Sequence, residues 1–297
     1  MQNHIPQRIR DTAIAFRAET SHGSLSLQAV GEGPLTAVFI HGNSWCSEVF
    51  DRQFASTLSG RGRLVSIDLP GHGLSGNAID PLRTYTRPGL ADACIEALAQ
   101  IDANNAVLVG WSLGGHIAIE MLSRYPGARA LALIGTPPVP SGGMALGFNA
   151  GPHLALASQP DFSGADTRRF AHATLGGNVR SSLLAAIQRT DTRFRPRLFD
   201  GMREGLGVDQ KEAIERCDVP IAVLNGSLDP IVNLDYFDSI RFRRLWKGKC
   251  HRIANAAHAP FRDAPDAFNA LMGDFFDDVD KGCIPIAAAA HPPGRRQ

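Results

Sequence analysis

One stretch, residues 106–125, constrains the fold of this chain more than any other. Residues 106–109 are all apolar, which is typical of a short buried strand. Gly-Trp-Ser-Leu-Gly follows at 110–114, and apolar positions then recur at helical spacing until Pro126. Small residues around Ser112 allow a strand to turn sharply into a helix and expose the serine hydroxyl. The stretch therefore predicts a nucleophile elbow, which the bare pentapeptide alone would indicate only weakly.

Strands and helices alternate along most of the remaining chain. The first two predicted strands flank Ser-His-Gly at 21–23 and indicate a hairpin. Alternation after the hairpin predicts an α/β fold, with a mostly parallel twisted sheet and helices on both faces. The predicted strands are 12–19, 24–30, 36–40, 64–68, 106–109, 130–134, 221–225 and 250–253, and the predicted helices are 90–101, 114–125 and 265–276.

The alternation breaks after Gly-Thr-Pro-Pro at 135–138. Residues 139–208 look helical and irregular, and an insert of this length between two strands usually covers an active site. We therefore expect a helical lid inserted late in the sheet. The predicted organisation is a flexible extension at 1–11, a core formed by 12–138 and 209–280, a lid at 139–208 and a disordered tail at 281–297.

A serine hydroxyl is a weak nucleophile at neutral pH, so Ser112 needs a base and a carboxylate that orients the base. In the α/β-hydrolase fold these groups follow the order serine, acid, histidine, each on a loop after a strand. Asp229 follows the strand at 221–225, and His258 follows the strand at 250–253. Either residue alone could be a turn cap or a loop residue. Together, in this order, they predict a catalytic triad.

Other acids and histidines have weaker positions. Asp68 ends a strand before the nucleophile, where we expect it to fix the following glycine turn. The other carboxylates lie beyond the acid loop or begin the last helix, and the other histidines lack the position of a base. These residues are Asp235, Asp263, Asp266, His41, His72 and His116, and we expect the three histidines to be structural.

Acyl transfer places negative charge on the former carbonyl oxygen, which two backbone N–H groups can stabilise. We assign one donor to Leu113 and the second to Asn43, with Ser44 and Trp45 as the next candidates for the second. A main-chain donor leaves the Asn43 side chain free to hold a polar substrate group. The predicted substrate-binding residues are Asn43, Trp45, Phe148, Phe170 and Ile231.

Composition limits the remaining classes. The 297 residues carry a net charge of +1, which gives no electrostatic reason to bind nucleic acid or an anionic membrane. Residues 1–16 lack the apolar core of a signal peptide, and no apolar run could span a bilayer. The five scattered cysteines favour reduced thiols in the cytoplasm. No metal-ligand run or Gly-x-Gly-x-x-Gly loop is visible, so we expect no metal and no cofactor.

Five motifs together are similar to a particular group of enzymes. His-Gly-Asn-Ser at 41–44, Asp-Leu-Pro-Gly-His-Gly at 68–73, the elbow at 110–117, Gly-Thr-Pro-Pro-Val at 135–139 and His-Ala-Pro-Phe-Arg at 258–262 resemble the metal-independent N-acyl-homoserine lactonases of the α/β-hydrolase superfamily. The resemblance extends over residues 19–276. It implies a serine hydrolase that opens the lactone ring through an acyl-enzyme and degrades quorum-sensing signals.

The resemblance also marks two differences. The acid of that family can be glutamate, whereas this chain has Asp229, which can keep the role. The lid has Phe170 where the family leads us to expect a tyrosine that can hydrogen-bond the substrate. Acyl-chain preference and oligomeric state stay open.

Three other functions remain compatible with these residues. A serine at the elbow argues against epoxide hydrolases and haloalkane dehalogenases, which use an aspartate nucleophile in this fold. A carboxylesterase or a carbon–carbon bond hydrolase of the meta-cleavage-product type would use the same triad. A non-catalytic small-molecule receptor on this fold can retain the triad as well. Steady-state turnover distinguishes the enzymes from the receptor, and a substrate panel distinguishes the enzymes from one another.

Overall fold

A computed structural model describes residues 13–284 of the chain as an eight-stranded sheet flanked by helices. The predicted extension at 1–11 and most of the predicted tail lie outside the described residues. The strands are β1 (Ile14–Thr20), β2 (Gly23–Val30), β3 (Thr36–Ile40), β4 (Arg63–Ile67), β5 (Ala106–Trp111), β6 (Ala128–Ile134), β7 (Ile221–Gly226) and β8 (His251–Ile253).

The strand order is β1-β2-β4-β3-β5-β6-β7-β8. β1 and β2 form the predicted hairpin, and β2 also pairs antiparallel with β4. All remaining neighbours are parallel, so β3 and β5, which lead to the oxyanion loop and the nucleophile, lie side by side at the centre. The predicted α/β class and the mostly parallel sheet are confirmed.

Helices cover both faces of the sheet. They are α1 (Asp51–Phe54), α2 (Pro81–Thr84), α3 (Arg87–Ala99), α4 (Leu113–Leu122), α5 (Met144–Gly147), α6 (Pro152–Ser158), α7 (Gly164–Leu175), α8 (Ser181–Arg189), α9 (Phe194–Arg203), α10 (Gln210–Arg216), α11 (Pro260–Asp263) and α12 (Pro265–Asp280). Short 3₁₀ helices span Ser47–Phe50, Thr57–Gly60, Leu234–Ser239 and Trp246–Gly248. No helix among residues 13–284 is long and apolar enough to cross a membrane.

Two hydrophobic cores lie on opposite faces of the sheet. In β3, Val38 and Ile40 belong to the core that contains α3 and α4, whereas Ala37 and Phe39 belong to the core that contains α12. Successive side chains of a strand point to opposite faces, so a strand buried on both sides must be apolar at every position. This double burial explains why β3 is a continuous apolar run after Thr36.

Helix α3 differs from its prediction at both ends. The apolar spacing predicted 90–101, but the helix runs from Arg87 to Ala99. The hydroxyl of Thr86 accepts a hydrogen bond from the Gly89 N–H, and Pro88 lies in the first turn. These are ordinary signals for a helix start. The capping residues, rather than the first apolar position, determine where this helix begins.

Close contacts hold the elbow between β5 and α4. A Cβ atom added to Gly114 would collide with the backbone carbonyl of Ile40 in β3, and one added to Gly115 would collide with the Thr136 side chain. Ser112 itself has φ 52° and ψ −118°, a conformation that L-residues rarely adopt. Glycine is therefore needed here because the start of α4 lies directly against the neighbouring strand.

We expect Gly114→Ala to lower the free energy of unfolding by about 1–3 kcal/mol, the usual cost of forcing extra atoms into a packed interior. The atom it meets is backbone and cannot rotate away. Gly177→Ala is the matched control, because nothing lies within 4 Å of the position of its added Cβ. Urea denaturation of both variants measures the difference. Equal stability of the two variants would contradict this account of the elbow.

Six helices, α5 to α10, lie between β6 and β7, and the first five, α5 to α9, lie within residues 139–208. The structure describes the backbone of every residue from 139 to 208, although not the side chains of residues 152 and 153, and no strand occurs there. Phe148 makes one isolated antiparallel bridge with Val232. The helical character predicted for this segment is thus seen in the structure, and we call residues 139–208 the helical insert.

Candidate active site

Loops from the carboxyl ends of β3, β5, β7 and β8 meet beside an open cavity, whose empty space, including the solvent at its mouth, is about 690 Å³. Ligand sites of open α/β sheets usually lie at this edge. The cavity is lined by Gly42, Asn43, Trp45, Trp111, Ser112, Leu113, His116, Met144, Phe148, Leu154, Ala157, Phe170, Thr174, Leu198, Phe199, Met202, Ile231 and His258. Every sequence-predicted site residue except Asp229 is on this wall.

Ser112 occupies the turn between β5 and α4. Its N–H donates to the carbonyl of Ile134, and its own carbonyl accepts the N–H groups of Gly115 and His116. The Thr136 hydroxyl donates to the same carbonyl at 2.9 Å. These bonds hold the main chain of Ser112 in its strained conformation and leave the side chain on the cavity wall.

Asp229 and His258 form a buried hydrogen-bonded pair. The distance from His258 Nδ1 to Asp229 Oδ2 is 2.8 Å, and His258 is only 2 % exposed. The other carboxylate oxygen, Oδ1, accepts the N–H groups of Ile231 and Val232 at 2.8 and 3.1 Å. Asp229 therefore also caps its own turn, and both of its oxygens are fixed.

The pKa of Asp229 lies below its ordinary value. Burial acts to raise this pKa, but the neighbouring His258 and the hydrogen bonds from His258, Ile231 and Val232 outweigh burial. The carboxylate is therefore ionised at neutral pH and can orient the imidazole through Nδ1. This leaves Nε2 of His258 as the ring nitrogen that can accept a proton.

Trp111 is a positioning residue that the sequence did not single out. Its indole Nε1 donates to the carbonyl of His258 at 2.8 Å, and the two rings lie 5.7 Å apart. Trp111 directly precedes Ser112, so one side chain ties the histidine loop to the elbow. Its position inside the elbow motif was the one sequence feature that could have indicated this role.

Two of the competing residues have the structural roles expected of them. Asp68 accepts the N–H groups of Ser47 and Leu74 with its two carboxylate oxygens and so fixes the glycine turn. His41 lies with Nδ1 2.8 Å from the Gly42 carbonyl, and its Nε2 accepts the N–H of Leu69 at 3.0 Å. Both are buried beneath the loop after β3 rather than placed on the cavity wall.

Two backbone N–H groups beside Ser112 are available to a ligand. Neither the N–H of Asn43 nor that of Leu113 has an acceptor within residues 13–284. Both residues line the cavity. The alternative donor Trp45 already donates its N–H to the Gly42 carbonyl at 3.2 Å. The geometry thus favours Asn43 and Leu113 as a pair of donors.

The expectation that the Asn43 side chain is free is wrong. Its Oδ1 accepts the Ser44 hydroxyl at 2.7 Å, and its Nδ2 donates to the carbonyl of Ala157 in α6 at 3.0 Å. The partner in α6 is 114 residues away in sequence, so no local pattern could reveal it. The Asn43 amide joins the loop after β3 to the helical insert, although the residue also lines the cavity as predicted.

Arg195 in α9 forms a second link between the loop after β3 and the helical insert. The sequence did not predict this role. Its Nε donates to the Ser44 hydroxyl at 2.7 Å, and its two terminal nitrogens donate to the carbonyls of Pro160 and Ile187. The guanidinium lies 3.9 Å from the ring centroid of Phe162. Burial lowers the pKa of Arg195 to about 10, which still leaves it charged at neutral pH.

Much of the remaining cavity wall is apolar. Trp45 stacks near Phe170 with ring centroids 6.3 Å apart, and Phe162 packs against the other side of Phe170 at 5.3 Å. Phe148 and Ile231 lie on the same wall, as predicted. Phe170 has no hydroxyl, so this part of the wall offers a ligand apolar contact only.

His116 was expected to be structural, but it lines the cavity. Its Nδ1 lies 2.6 Å from Oε1 of Gln210, and Nε2 of Gln210 donates to the His116 carbonyl. Gln210 is fully buried at the start of α10, 94 residues away in sequence. The four-residue spacing from Ser112 was the only available signal, because it places both residues on one side of a helix.

Among the side chains that the structure describes, which exclude those of residues 152 and 153, there is no group of three or more histidines, cysteines, aspartates or glutamates that could hold a metal ion. Cys46, Cys94, Cys217, Cys250 and Cys283 are all free thiols. Burial raises the pKa of Cys94 to about 12, so it is not a nucleophile at neutral pH.

Comparison with known proteins adds evidence of ancestry. The sequence profile described as "Alpha/beta hydrolase family" matches residues 37–271. Among curated proteins, the pimeloyl-[acyl-carrier protein] methyl ester esterase of Nitrosospira multiformis is 28 % identical over 262 residues, which cover 85 % of this chain and 98 % of that protein.

Solved structures provide more similar relatives. The N-acyl homoserine lactonase AidH in complex with N-butanoyl homoserine is 42 % identical, with a TM-score of 0.87 over 90 % of this chain and 97 % of that one. A serine-to-glycine mutant of the same lactonase, in complex with N-hexanoyl homoserine lactone, is 41 % identical, with a TM-score of 0.88 over 90 % and 99 % of the two chains.

Proposed function

Because this chain belongs to the alpha/beta hydrolase family, we propose that it is a serine hydrolase that opens the ring of N-acyl homoserine lactones. Ser112 is the nucleophile, His258 the general base and acid, and Asp229 the orienting carboxylate. The observation that carries the proposal is the buried Asp229–His258 pair on the wall shared with Ser112. A hydrogen-bonded acid and histidine beside an elbow serine is the arrangement that activates a hydroxyl.

The reaction proceeds through an acyl-enzyme. His258 takes the proton of Ser112 as the hydroxyl attacks the lactone carbonyl, and the N–H groups of Asn43 and Leu113 stabilise the oxyanion. The bond between the lactone carbonyl carbon and the ring oxygen breaks, and the ring oxygen takes the proton from His258. The resulting alcohol stays attached to the homoserine part of the acyl-enzyme. Water, activated by the same histidine, then releases N-acyl homoserine. Asp229 stays ionised throughout and stabilises the imidazolium.

Two features support a lactone with an apolar tail as substrate. The related lactonase was crystallised with N-butanoyl homoserine, the ring-opened form of such a lactone. The apolar wall formed by residues such as Trp45, Phe148 and Phe170 can bury an acyl chain. We assign the helical insert the role of a lid, because it contributes Phe148 and Phe170 to that wall. Signal degradation in the cytoplasm follows from this activity and agrees with the five free thiols.

A carboxylesterase activity is the second candidate. It is favoured by the similarity to the methyl ester esterase of Nitrosospira multiformis, almost all of which this chain matches. The same triad and oxyanion donors would serve an open-chain ester. The two functions differ only in whether the leaving alcohol is tethered to the acyl group.

A substrate panel tests the proposal. The panel contains N-hexanoyl homoserine lactone, p-nitrophenyl butyrate and a vinylogous diketone, each assayed with the wild type and with Ser112→Ala, with and without a chelator. We expect Ser112-dependent lactone hydrolysis with kcat/KM above that for the simple ester, and no effect of chelation. Turnover of the ester or the diketone alone would replace the lactone as substrate. No turnover at all would identify a receptor, and a chelator-induced loss restored by zinc would overturn the serine mechanism.

Asn43 variants test the second oxyanion donor. Asn43→Pro removes the N–H and should lower kcat/KM about 10²- to 10³-fold on lactone and ester alike. Asn43→Ala keeps the N–H but loses the bond to Ala157, so we expect a roughly 2- to 13-fold loss, the value of one hydrogen bond, again on both substrates. The circular dichroism spectrum of Asn43→Pro must match that of the wild type. Equal small losses for the two variants would place the donor elsewhere, with Ser44 the next candidate.

A further inference from the structure

We propose that His116 is a specificity-determining residue that accepts a hydrogen bond from a substrate N–H group next to the scissile carbonyl. The inference rests on the proposed function and extends it. It states which chemical group of an N-acyl lactone the site recognises. A substrate with an ester oxygen in place of that N–H would bind the same cavity without this contact.

The protonation of His116 follows from its partner. Gln210 donates Nε2–H to the main-chain carbonyl of His116 at 3.0 Å, which fixes the orientation of the amide. Its Oε1 therefore faces Nδ1 of His116 at 2.6 Å, and an amide oxygen can only accept. Nδ1 must carry the proton. In a neutral imidazole the other nitrogen, Nε2, is then an acceptor.

The ring stays neutral at working pH. Burial lowers the pKa of His116 to about 4, and the positive charges of Arg87 and of protonated His258 act in the same direction. The hydrogen bond to Gln210 opposes this effect but does not reverse it. Nε2 is thus an acceptor at neutral pH.

Leaving aside the side chains of residues 152 and 153, which the structure does not describe, no group among residues 13–284 bonds His116 Nε2, and His116 is 7 % exposed on the cavity wall. Two other polar side chains of the wall already have hydrogen-bond partners within the protein. Asn43 is bonded to Ser44 and Ala157, and the Thr174 hydroxyl donates to the Phe170 carbonyl at 2.8 Å. A ligand that fills the cavity displaces solvent from this acceptor, and leaving the acceptor unpaired is costly, so the cavity favours a ligand that brings a donor.

The position of His116 suits an N–H near the reacting carbonyl. Its N–H bonds the carbonyl of Ser112, so the two residues are one helical turn apart. Both side chains lie on the same cavity wall, one at the N-cap of α4 and the other in its first turn. In an N-acyl homoserine lactone the amide nitrogen is bonded to the carbon next to the lactone carbonyl. A carbonyl held against Ser112 therefore places this N–H toward the next turn, where His116 lies.

The ring of Phe148 forms the apolar surroundings of the acceptor, with its centroid 5.8 Å from that of His116. An ester oxygen in place of the N–H would set one acceptor against another in an apolar pocket. The site therefore discriminates by loss of a hydrogen bond and by repulsion, both of which act on the isostere and not on the amide.

The experiment compares two matched substrate pairs. The first pair is N-hexanoyl homoserine lactone and α-hexanoyloxy-γ-butyrolactone, which has oxygen in place of N–H. The second pair is the p-nitrophenyl esters of N-hexanoylglycine and of hexanoyloxyacetic acid. For each pair the ratio of kcat/KM values, amide over ester, is measured in the wild type, His116→Phe and Phe148→Leu. The intrinsic reactivities of the substrates cancel between enzymes.

We expect His116→Phe to lower the amide-over-ester ratio roughly 2- to 13-fold in at least one pair, the value of one hydrogen bond. Phe148→Leu, which alters the same wall without a polar atom, should leave the ratio unchanged. His116→Asn, a smaller change, provides the same comparison if the phenylalanine variant does not fold. An unchanged ratio in both pairs for the folded His116 variant overturns the inference and leaves the proposed function intact. No Ser112-dependent turnover of any of the four substrates overturns both.

Discussion

Replacing Ser112 by alanine is expected to lower kcat by roughly 10⁴- to 10⁶-fold, as for other serine nucleophiles that act through a triad. The elbow geometry depends on the main chain of Ser112 and on its glycine neighbours, so the fold should persist without the hydroxyl. Initial rates on the best substrate of the panel, with thermal unfolding measured alongside, give the comparison. Ser123→Ala, at the far end of the same helix, is the control and should keep full activity.

Replacing the proposed base, His258, should lower kcat almost as much as replacing Ser112. His258→Ala removes the base, and the double variant Ser112→Ala/His258→Ala should be little worse than either single variant, because the residues act as one unit. A Ser112→Ala enzyme that retains a tenth of wild-type activity would refute the assignment of the nucleophile. Multiplicative losses in the double variant would show that the two residues act independently.

The second large effect concerns the acid. Asp229→Asn should lower kcat by about 10⁴-fold, because an amide at this position favours the wrong tautomer of the histidine. The structure specifies how the amide would lie. Oδ1 already accepts the N–H groups of Ile231 and Val232, so the amide nitrogen must take the place of Oδ2 and face Nδ1 of His258. Its N–H would then displace the proton from Nδ1 to Nε2, where the base must be unprotonated.

The matched control for Asp229→Asn is Asp235→Asn. Asp235 is the exposed carboxylate closest after Asp229 in sequence, and it forms a surface ion pair with Arg252 at 2.8 Å. We expect full activity from this control, since exposed pairs contribute little. The pH dependence of kcat/KM for both variants completes the measurement. Comparable losses for the two variants would mean that Asp229 is not the acid.

The central sheet could be predicted because its strands are locally encoded. Strand β3 was predicted with its observed bounds, Thr36 to Ile40, since a strand buried on both faces shows as an unbroken apolar run. Strand β6 begins two residues earlier than predicted, at Ala128, where the chain is half-buried and the apolar signal is weak. The order of Ser112, Asp229 and His258 could be predicted for the same reason, because each residue follows a strand of the central sheet that has a recognisable apolar sequence.

The finer structure of the site depends on contacts between residues far apart in sequence. The role of His116 requires Gln210, and the Asn43 amide requires Ala157. Arg195 reads as an ordinary charged residue of an amphipathic helix, yet it is 1 % exposed and bonded to Ser44. No periodicity or motif in the sequence indicates that the two residues of any of these pairs are in contact. Only the packing of the helical insert on the sheet brings them together.

The loop after β3 is bonded to the helical insert at two points. These bonds couple the position of the insert over the cavity to the position of the proposed oxyanion donor. Asn43 holds α6 through Ala157, and Ser44 holds α9 through Arg195, so the helical insert cannot lift from the cavity without releasing the loop that presents an oxyanion donor. Any movement of the insert that widens the mouth of the cavity therefore also disturbs the proposed oxyanion donor. We therefore expect a ligand that fits beneath the insert to react faster than a longer ligand that pushes the insert away from the loop.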